Sequence, residues 1–322
     1  MKNSFFRDLS MAKRGMANFF TKRPLCVSFE VTYSCNARCR HCHLGGPVEE
    51  ERASPERYGE LCREIKPVVA QISGGEPLLR KDIEDIVQAI RIENKAPFIV
   101  LTTNGTLLSK QKYFKLREAG VDEFSLSLDF PDERHDDFRG VPGLFRKIET
   151  LIRETNHLPN NGITLSGVVN KENFRELIQM AELAKAWKVK INFSTYTWLR
   201  TNKKELMVPK NDLDELKEII TKLREFKKKY QTVYVSDYVF KEMIEFFEKE
   251  SIGNCRAGER FFVVNPDGTL SPCGLILKKF RSQQEIIENF TKSNTCGDCY
   301  TSIRANTEKP ASFLIKDSLK AI

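Results

Sequence analysis

With 322 residues, 40% hydrophobic and 30% charged, the chain is long enough for one large domain plus a smaller module, and it is neither a disordered polymer nor a multi-span membrane protein. Nothing in it resembles an export signal or an apolar run of spanning length, so nine cysteines point to metal ligation in a reducing cytoplasm rather than to disulfides. The net charge of +8 sits largely on lysine-rich helix faces such as Lys227-Lys228-Lys229; it suits a solvated surface, RNA or an anionic membrane without separating them.

Residues 1–23 place Phe5, Phe6, Leu9, Met16, Phe19 and Phe20 near one helical stripe, surrounded by Lys2, Arg7, Lys13, Arg14, Lys22 and Arg23. Such a helix suits the inner membrane surface, and equally a helix packed on the domain that follows. The alternating run Leu25–Val31 reads as a strand and leads into Cys35-Asn-Ala-Arg-Cys39-Arg-His-Cys42. Three thiolates on one short loop suit one soft metal centre. The next cysteine, Cys62, falls inside a predicted helix over 55–66, so the set reads as three ligands and an open position. A structural zinc site would want a fourth Cys or His, and His41 and His43 lie close enough to compete.

A strand-then-helix rhythm follows. Val68–Ser73 precedes a helix over 80–94, Phe98–Thr102 one over 110–119, and Phe124–Asp129, after a loop, one over 142–156. Ile163–Val169 precedes a helix over 172–187, and Lys190–Ser194 is the last clear strand. Six βα units imply an α/β fold with a parallel sheet, either a partial barrel or an open doubly wound sheet. Sites in such sheets lie at the C-terminal strand edge, where the cysteine loop falls. At that edge Gly74-Gly75-Glu76-Pro77 offers close backbone approach and an acceptor, and Thr102-Thr103-Asn104-Gly105 a tight turn. Ser127 and Asp129 share one strand face, and a buried aspartate needs a partner that a ligand can supply. On the loop His135–Gly143, Arg139 suits a salt bridge within the loop better than an anion contact.

Residues 200–254 read as a helical connector with Asp212 and Asp237 as caps. Residues 255–305 hold Cys255, Cys273, Cys296 and Cys299 around a hairpin turn at Asn265-Pro266-Asp267-Gly268, and four thiolates there suit an iron–sulfur cluster or a zinc ribbon. Cys26 and Cys62 read as buried small hydrophobes.

The C-x-x-x-C-x-x-C spacing with His41 before its last cysteine, together with G-G-E-P and T-x-N-G downstream, resembles the radical S-adenosylmethionine (radical SAM) superfamily. The resemblance implies a partial (β/α)6 TIM-like barrel over residues 25–200. It implies a [4Fe–4S] cluster on Cys35, Cys39 and Cys42 whose open iron chelates SAM, and reductive cleavage of SAM to a 5′-deoxyadenosyl radical that takes a hydrogen atom from the substrate. It places Gly74, Gly75, Glu76 and Pro77 by the SAM amino group, with Asn104, Ser127, Asp129 and Asn170 as further SAM contacts. The four later cysteines resemble a SPASM module shortened to the twitch form, which implies an auxiliary [4Fe–4S] cluster assisting electron transfer. H-D-x-x-R-G-x-x-G over residues 135–143 resembles a stretch found beside such modules.

These parallels divide the chain into a helix over 1–24, the barrel, a connector over 201–254, the cluster module over 255–305 and a tail over 306–322. They also call for an electron donor such as ferredoxin or flavodoxin. The segment Ser194–Arg200, with Tyr196 and Trp198, is expected at the substrate pocket. With no peptide-recognition domain ahead of the barrel and a basic aromatic N-terminus, the substrate is expected to be a small molecule or lipid. A peptide or protein maturase is the alternative, and a non-enzymatic iron–sulfur or RNA-binding protein the third reading, with nucleic acid the least favoured partner.

Overall fold

The computed structural model describes residues 2–93, 97–158 and 160–313. Six strands run in chain order across one sheet: β1 (Cys26–Glu30), β2 (Val69–Ser73), β3 (Phe98–Thr103), β4 (Glu123–Ser127), β5 (Ile163–Val169) and β6 (Lys190–Thr195). Between them lie α2 (Pro55–Ile65), α3 (Ile83–Glu93), α4 (Lys110–Ala119), α5 (Arg134–Arg139), α6 (Leu144–Thr155) and α7 (Leu177–Ala186), after an N-terminal α1 (Lys2–Thr21). All neighbouring pairs among β1 to β6 are parallel, the curved, unclosed sheet of a partial barrel.

The alternation of the strands explains the shape. Ala70, Ile72, Ile99, Leu101, Phe124, Leu126, Ile191 and Phe193 are buried in the core that the helices cover. Their alternates, among them Gln71, Ser73, Thr102, Ser125, Ser127, Ser166, Asn192 and Ser194, are half-buried and point to the opposite face. A closed barrel of this kind fills its interior with branched apolar residues. Here the interior face carries hydroxyls and amides, with Ser28 Oγ 2.7 Å from Ser73 Oγ and Gln71 Nε2 donating to Thr102 Oγ1 at 3.2 Å. The lumen is therefore a polar groove rather than a packed core.

The C-terminal segment joins this sheet. After α8 (Leu213–Tyr230) and α9 (Asp237–Lys249), β7 (Phe261–Val264) pairs parallel with β1, and β8 (Leu270–Ser271) pairs antiparallel with β7. The expected hairpin turn lies between them and is held against the barrel by Tyr58, whose hydroxyl donates to Pro266 O at 2.9 Å. The chain closes with α10 (Gln283–Asn289) and α11 (Ser302–Thr307); residues 314–322 of the expected tail lie outside the described residues.

Local differences from the sequence expectations have local causes. β4 ends at Ser127, so Asp129 lies past the strand, and the loop after it holds the short helix α5. Ser236, not Asp237, caps α9 by accepting from Val239 N. Asp212 makes no capping bond; its carboxylate lies 3.5 Å from Arg175. Helix α7 begins later than expected because a single tight turn, Phe174–Glu176, precedes it, and α3 begins at Ile83, after the Arg80–Asp82 ion pair.

The end of α1 docks on the domain. Asn18 Nδ2 donates to Pro24 O and Lys66 O at 2.8 and 3.0 Å, and the Arg260 guanidinium lies 3.7 Å from the Phe19 ring centre. Phe20 remains 74% exposed. The side chains of Phe5, Phe6 and Leu9 lie outside the described residues. No described helix is long and apolar enough to cross a membrane.

Candidate cluster and cofactor site

The three-cysteine loop leaves the C-terminal end of β1 and is clasped at its neck. Cys35 N donates to Gly46 O at 3.0 Å and Gly46 N to Cys35 O at 2.8 Å. Its outer limb docks on α5, with Arg38 N donating to Arg139 O and Arg40 N to Phe138 O, each at 3.0 Å, while the His41 ring stacks on Phe138. Cys35 and Cys39 are buried and Cys42 is half-buried, and none of the nine cysteines is paired in a disulfide. Burial raises the Cys35 and Cys39 thiols; at Cys42, burial is outweighed by a hydrogen bond from His43 and by Arg200, which bring it down to about 7.

The site fits a group held by thiolates. Asn104 Nδ2 lies 3.9 Å from Cys35 Sγ and Arg139 Nη1 3.6 Å from Cys39 Sγ, so N–H donors already face the sulfurs. Among the described residues, no three Cys, His, Asp or Glu side chains converge tightly enough for one metal ion. Three thiols spread around a loop suit a multi-iron cluster better than a single tetrahedral zinc.

The G-G-E-P turn abuts this loop. A Cβ on Gly74 would lie 2.1 Å from Thr32 O and one on Gly75 2.2 Å from Ser34 O. The close approach that needs glycine is thus to the backbone of the cysteine loop, where Gly75 N donates to Thr32 O at 2.7 Å and Glu76 N to Ser34 O at 2.9 Å. Glu76 is fully buried. Its carboxylate accepts from Leu78 N at 3.1 Å, Thr103 Oγ1 at 2.7 Å and Asn104 N at 2.8 Å, yet burial still pushes it up to about 7. Pro77 opens the tight turn that follows. Asn104 reaches Asn36 Oδ1 at 2.9 Å, so this residue, too, borders the thiol loop.

Two predicted contacts are satisfied internally. Asp129 has protein partners: its carboxylate accepts from Arg139 Nε and Nη2 at 2.7 and 2.6 Å and from Val168 N at 3.0 Å. Asn170 donates to Val168 O and accepts from Glu172 N, each at 2.8 Å. Ser127 faces the lumen.

The second cysteine set opens onto the same lumen. Cys255, Cys273, Cys296 and Cys299 line one cavity of about 130 Å³ together with Ser28, Glu30, Gln71, Ser73 and Arg200. Buried Arg304 holds this end by donating to the carbonyls of Cys299, Ile252 and Gly253 at 2.7, 2.6 and 2.8 Å. Burial raises the thiols of Cys255 and Cys299, and that of Cys273 to about 11. A larger opening of about 340 Å³ lies at the N-terminal strand ends around Glu123 and Lys190, away from every predicted site residue.

Sequence reasoning missed Glu30. Only 9% exposed, it faces the cavity, and a Cβ on Gly274 would come within 2.7 Å of its Oε1. Burial raises its carboxyl, opposed by Arg200 and His43. The available signal was a carboxylate in step with Ser28 on an otherwise apolar strand.

The family model "Radical SAM superfamily" matches residues 29–184. An AdoMet-dependent heme synthase of Methanosarcina barkeri is 35% identical over 173 residues, covering 51% of this chain and 48% of that protein. A PqqA peptide cyclase of Bradyrhizobium diazoefficiens is 27% identical over 282 residues, covering 82% of this chain and 72% of that one. The match thus spans about half the length of the heme synthase. Streptococcus suis SuiB, in a crystal structure with its precursor peptide SuiA, shares the fold at a TM-score of 0.65 with 17% identity, covering 88% of this chain and 68% of that one. The cysteine loop, the strand-end turns and the partial barrel thus agree with the family match: residues 29–184 form a radical SAM domain, the domain of a superfamily of SAM- and [4Fe–4S]-dependent enzymes.

Proposed function

We propose that this protein modifies a peptide-derived substrate by radical SAM chemistry, with Cys35, Cys39 and Cys42 holding the SAM-binding [4Fe–4S] cluster and Cys255, Cys273, Cys296 and Cys299 an auxiliary one. The observation that carries this reading is a cavity lined by the second thiol set and by the polar strand-end side chains Ser28, Glu30, Gln71 and Ser73, with Arg200 in its wall also acting on Cys42 of the first set. The strand side of the cavity carries hydroxyls, an amide, Glu30 and Arg200, which can pair with peptide main chain, and its C-terminal side, with Phe261, Ile276, Phe290 and Ile303, can take an apolar side chain. A relative named as a peptide cyclase and a structural neighbour seen with a precursor peptide support the same class.

When bound, the cluster and SAM supply a carbon-centred radical that abstracts hydrogen from an unactivated carbon. The chain's own residues bind, orient and exclude water. The turn Gly74-Gly75-Glu76-Pro77 and Asn104 border the SAM side, and Ser127 reaches into the lumen. Asp129 and Asn170 shape that wall through Val168. Glu30 offers an acceptor and Arg200 donors to a peptide amide, while Phe261, Phe290 and Ile303 form the dry side of the cavity near the second thiol set. A one-electron carrier of the ferredoxin or flavodoxin class is the partner this chemistry requires.

The test is anaerobic reconstitution with iron counting and assay of 5′-deoxyadenosine. About eight irons per chain are expected, from two [4Fe–4S] clusters. Changing Cys35, Cys39 and Cys42 together to Ala should leave about four and abolish SAM cleavage. Unchanged iron in that variant would overturn the ligand assignment.

A further inference from the structure

We infer that Arg139 is a positioning residue that raises the reduction potential of the three-thiolate cluster through a fixed contact with Cys39. The inference rests on the ligand assignment proposed above. Its argument is a chain of contacts. The Arg139 side chain is committed on one edge, where Nε and Nη2 both donate to Asp129 Oδ2 at 2.7 and 2.6 Å. That leaves Nη1 aimed at Cys39 Sγ, 3.6 Å away.

Asp129 is itself held by three further hydrogen bonds. Val168 N donates to its other oxygen at 3.0 Å, Asn173 Nδ2 to its carbonyl at 3.1 Å, and its own N–H donates to His135 Nδ1 at 3.1 Å. The main chain of Arg139 grips the same loop, since its carbonyl accepts from Arg38 N at 3.0 Å. One residue therefore fixes the loop by its backbone and faces a ligand sulfur with its guanidinium.

The sign follows from charge. Arg139 is only 6% exposed, so solvent and salt screen it weakly. A reduced cluster carries one more negative charge than an oxidised one. A cation donating an N–H to a ligand sulfur favours the reduced form and raises the potential. The Asp129 carboxylate opposes it from behind the guanidinium.

The experiment uses reconstituted holoprotein, with iron counted and the potential read by an EPR-monitored titration of the signal that changes on adding SAM. Arg139→Gln should make reduction about tenfold or more less favourable, about 59 mV for each tenfold of a one-electron couple. Arg139→Lys, which keeps the charge, should stay closer to wild type. Asp129→Asn should shift the potential upward. A merely structural role predicts lost iron in both the Gln and Asn variants and no opposed shifts. Full iron with an unmoved potential in Arg139→Gln overturns the inference, as do shifts of the same sign in Arg139→Gln and Asp129→Asn. If Arg139→Gln loads no iron, Asp129→Asn decides: an upward shift supports the inference, and no shift or a downward one overturns it. Absence of any SAM-sensitive signal in wild type would instead overturn the ligand assignment.

Discussion

Glu76 joins the ends of β2 and β3 through one carboxylate and three donors, and its burial raises its pKa from 4.5 to about 7. A carboxyl with a raised folded-state pKa contributes stability that is fully present below its unfolded value and lost as pH rises through the folded one. Wild type should therefore lose stability between about pH 4.5 and 7, and Glu76→Gln should lack that slope. The variant should also lose ~1–3 kcal/mol throughout, because an amide nitrogen cannot accept from Asn104 N or Thr103. Denaturant unfolding at several pH values checks both; a parallel slope in the variant would show that another group titrates. At this scale the cysteine loop was legible, because three cysteines at fixed spacing lie within one short stretch. The partner of Asp129 was only half legible. A buried aspartate demands a counter-group, but naming Arg139 as one requires the turn of helix that brings it back.

Most elements could be read from periodicity, since a two-residue alternation marks β2 to β6 and their helices carry apolar stripes. α5 could not: its six residues are too short for a periodic signal. α1 shows how one element can serve two surfaces. Asn18 and Phe19 fix its end to the domain while Phe20 and Met16 face outward. Docking and membrane contact are thus compatible on one helix. Anionic vesicles are expected to float the full-length chain and not one lacking residues 1–23. Equal flotation of both forms would remove the membrane role from α1.

At the scale of the molecule, the hairpin turn of the C-terminal segment was legible and its place was not. Four cysteines and a composition change suggested an appended module. Strand pairing between residues more than two hundred positions apart, such as Phe29 with Val264, leaves no local mark in sequence. The physical result is that β7 covers the edge of β1. A chain truncated after residue 254 would expose that edge, with its buried apolar strand, to other molecules. Size-exclusion chromatography should find it aggregated, and a monomeric, iron-loaded truncation would show that the barrel stands alone.

The Phe29–Val264 pairing also orders events during synthesis. β1 leaves the ribosome more than two hundred residues ahead of β7 and keeps one edge bare until that partner arrives, and so remote a closure is slow and exposed to aggregation. The thiol loop beside that strand emerges early, whereas the second thiol set is assembled only when the sheet is finished. The two thiol sets are thereby completed at different times by the topology itself.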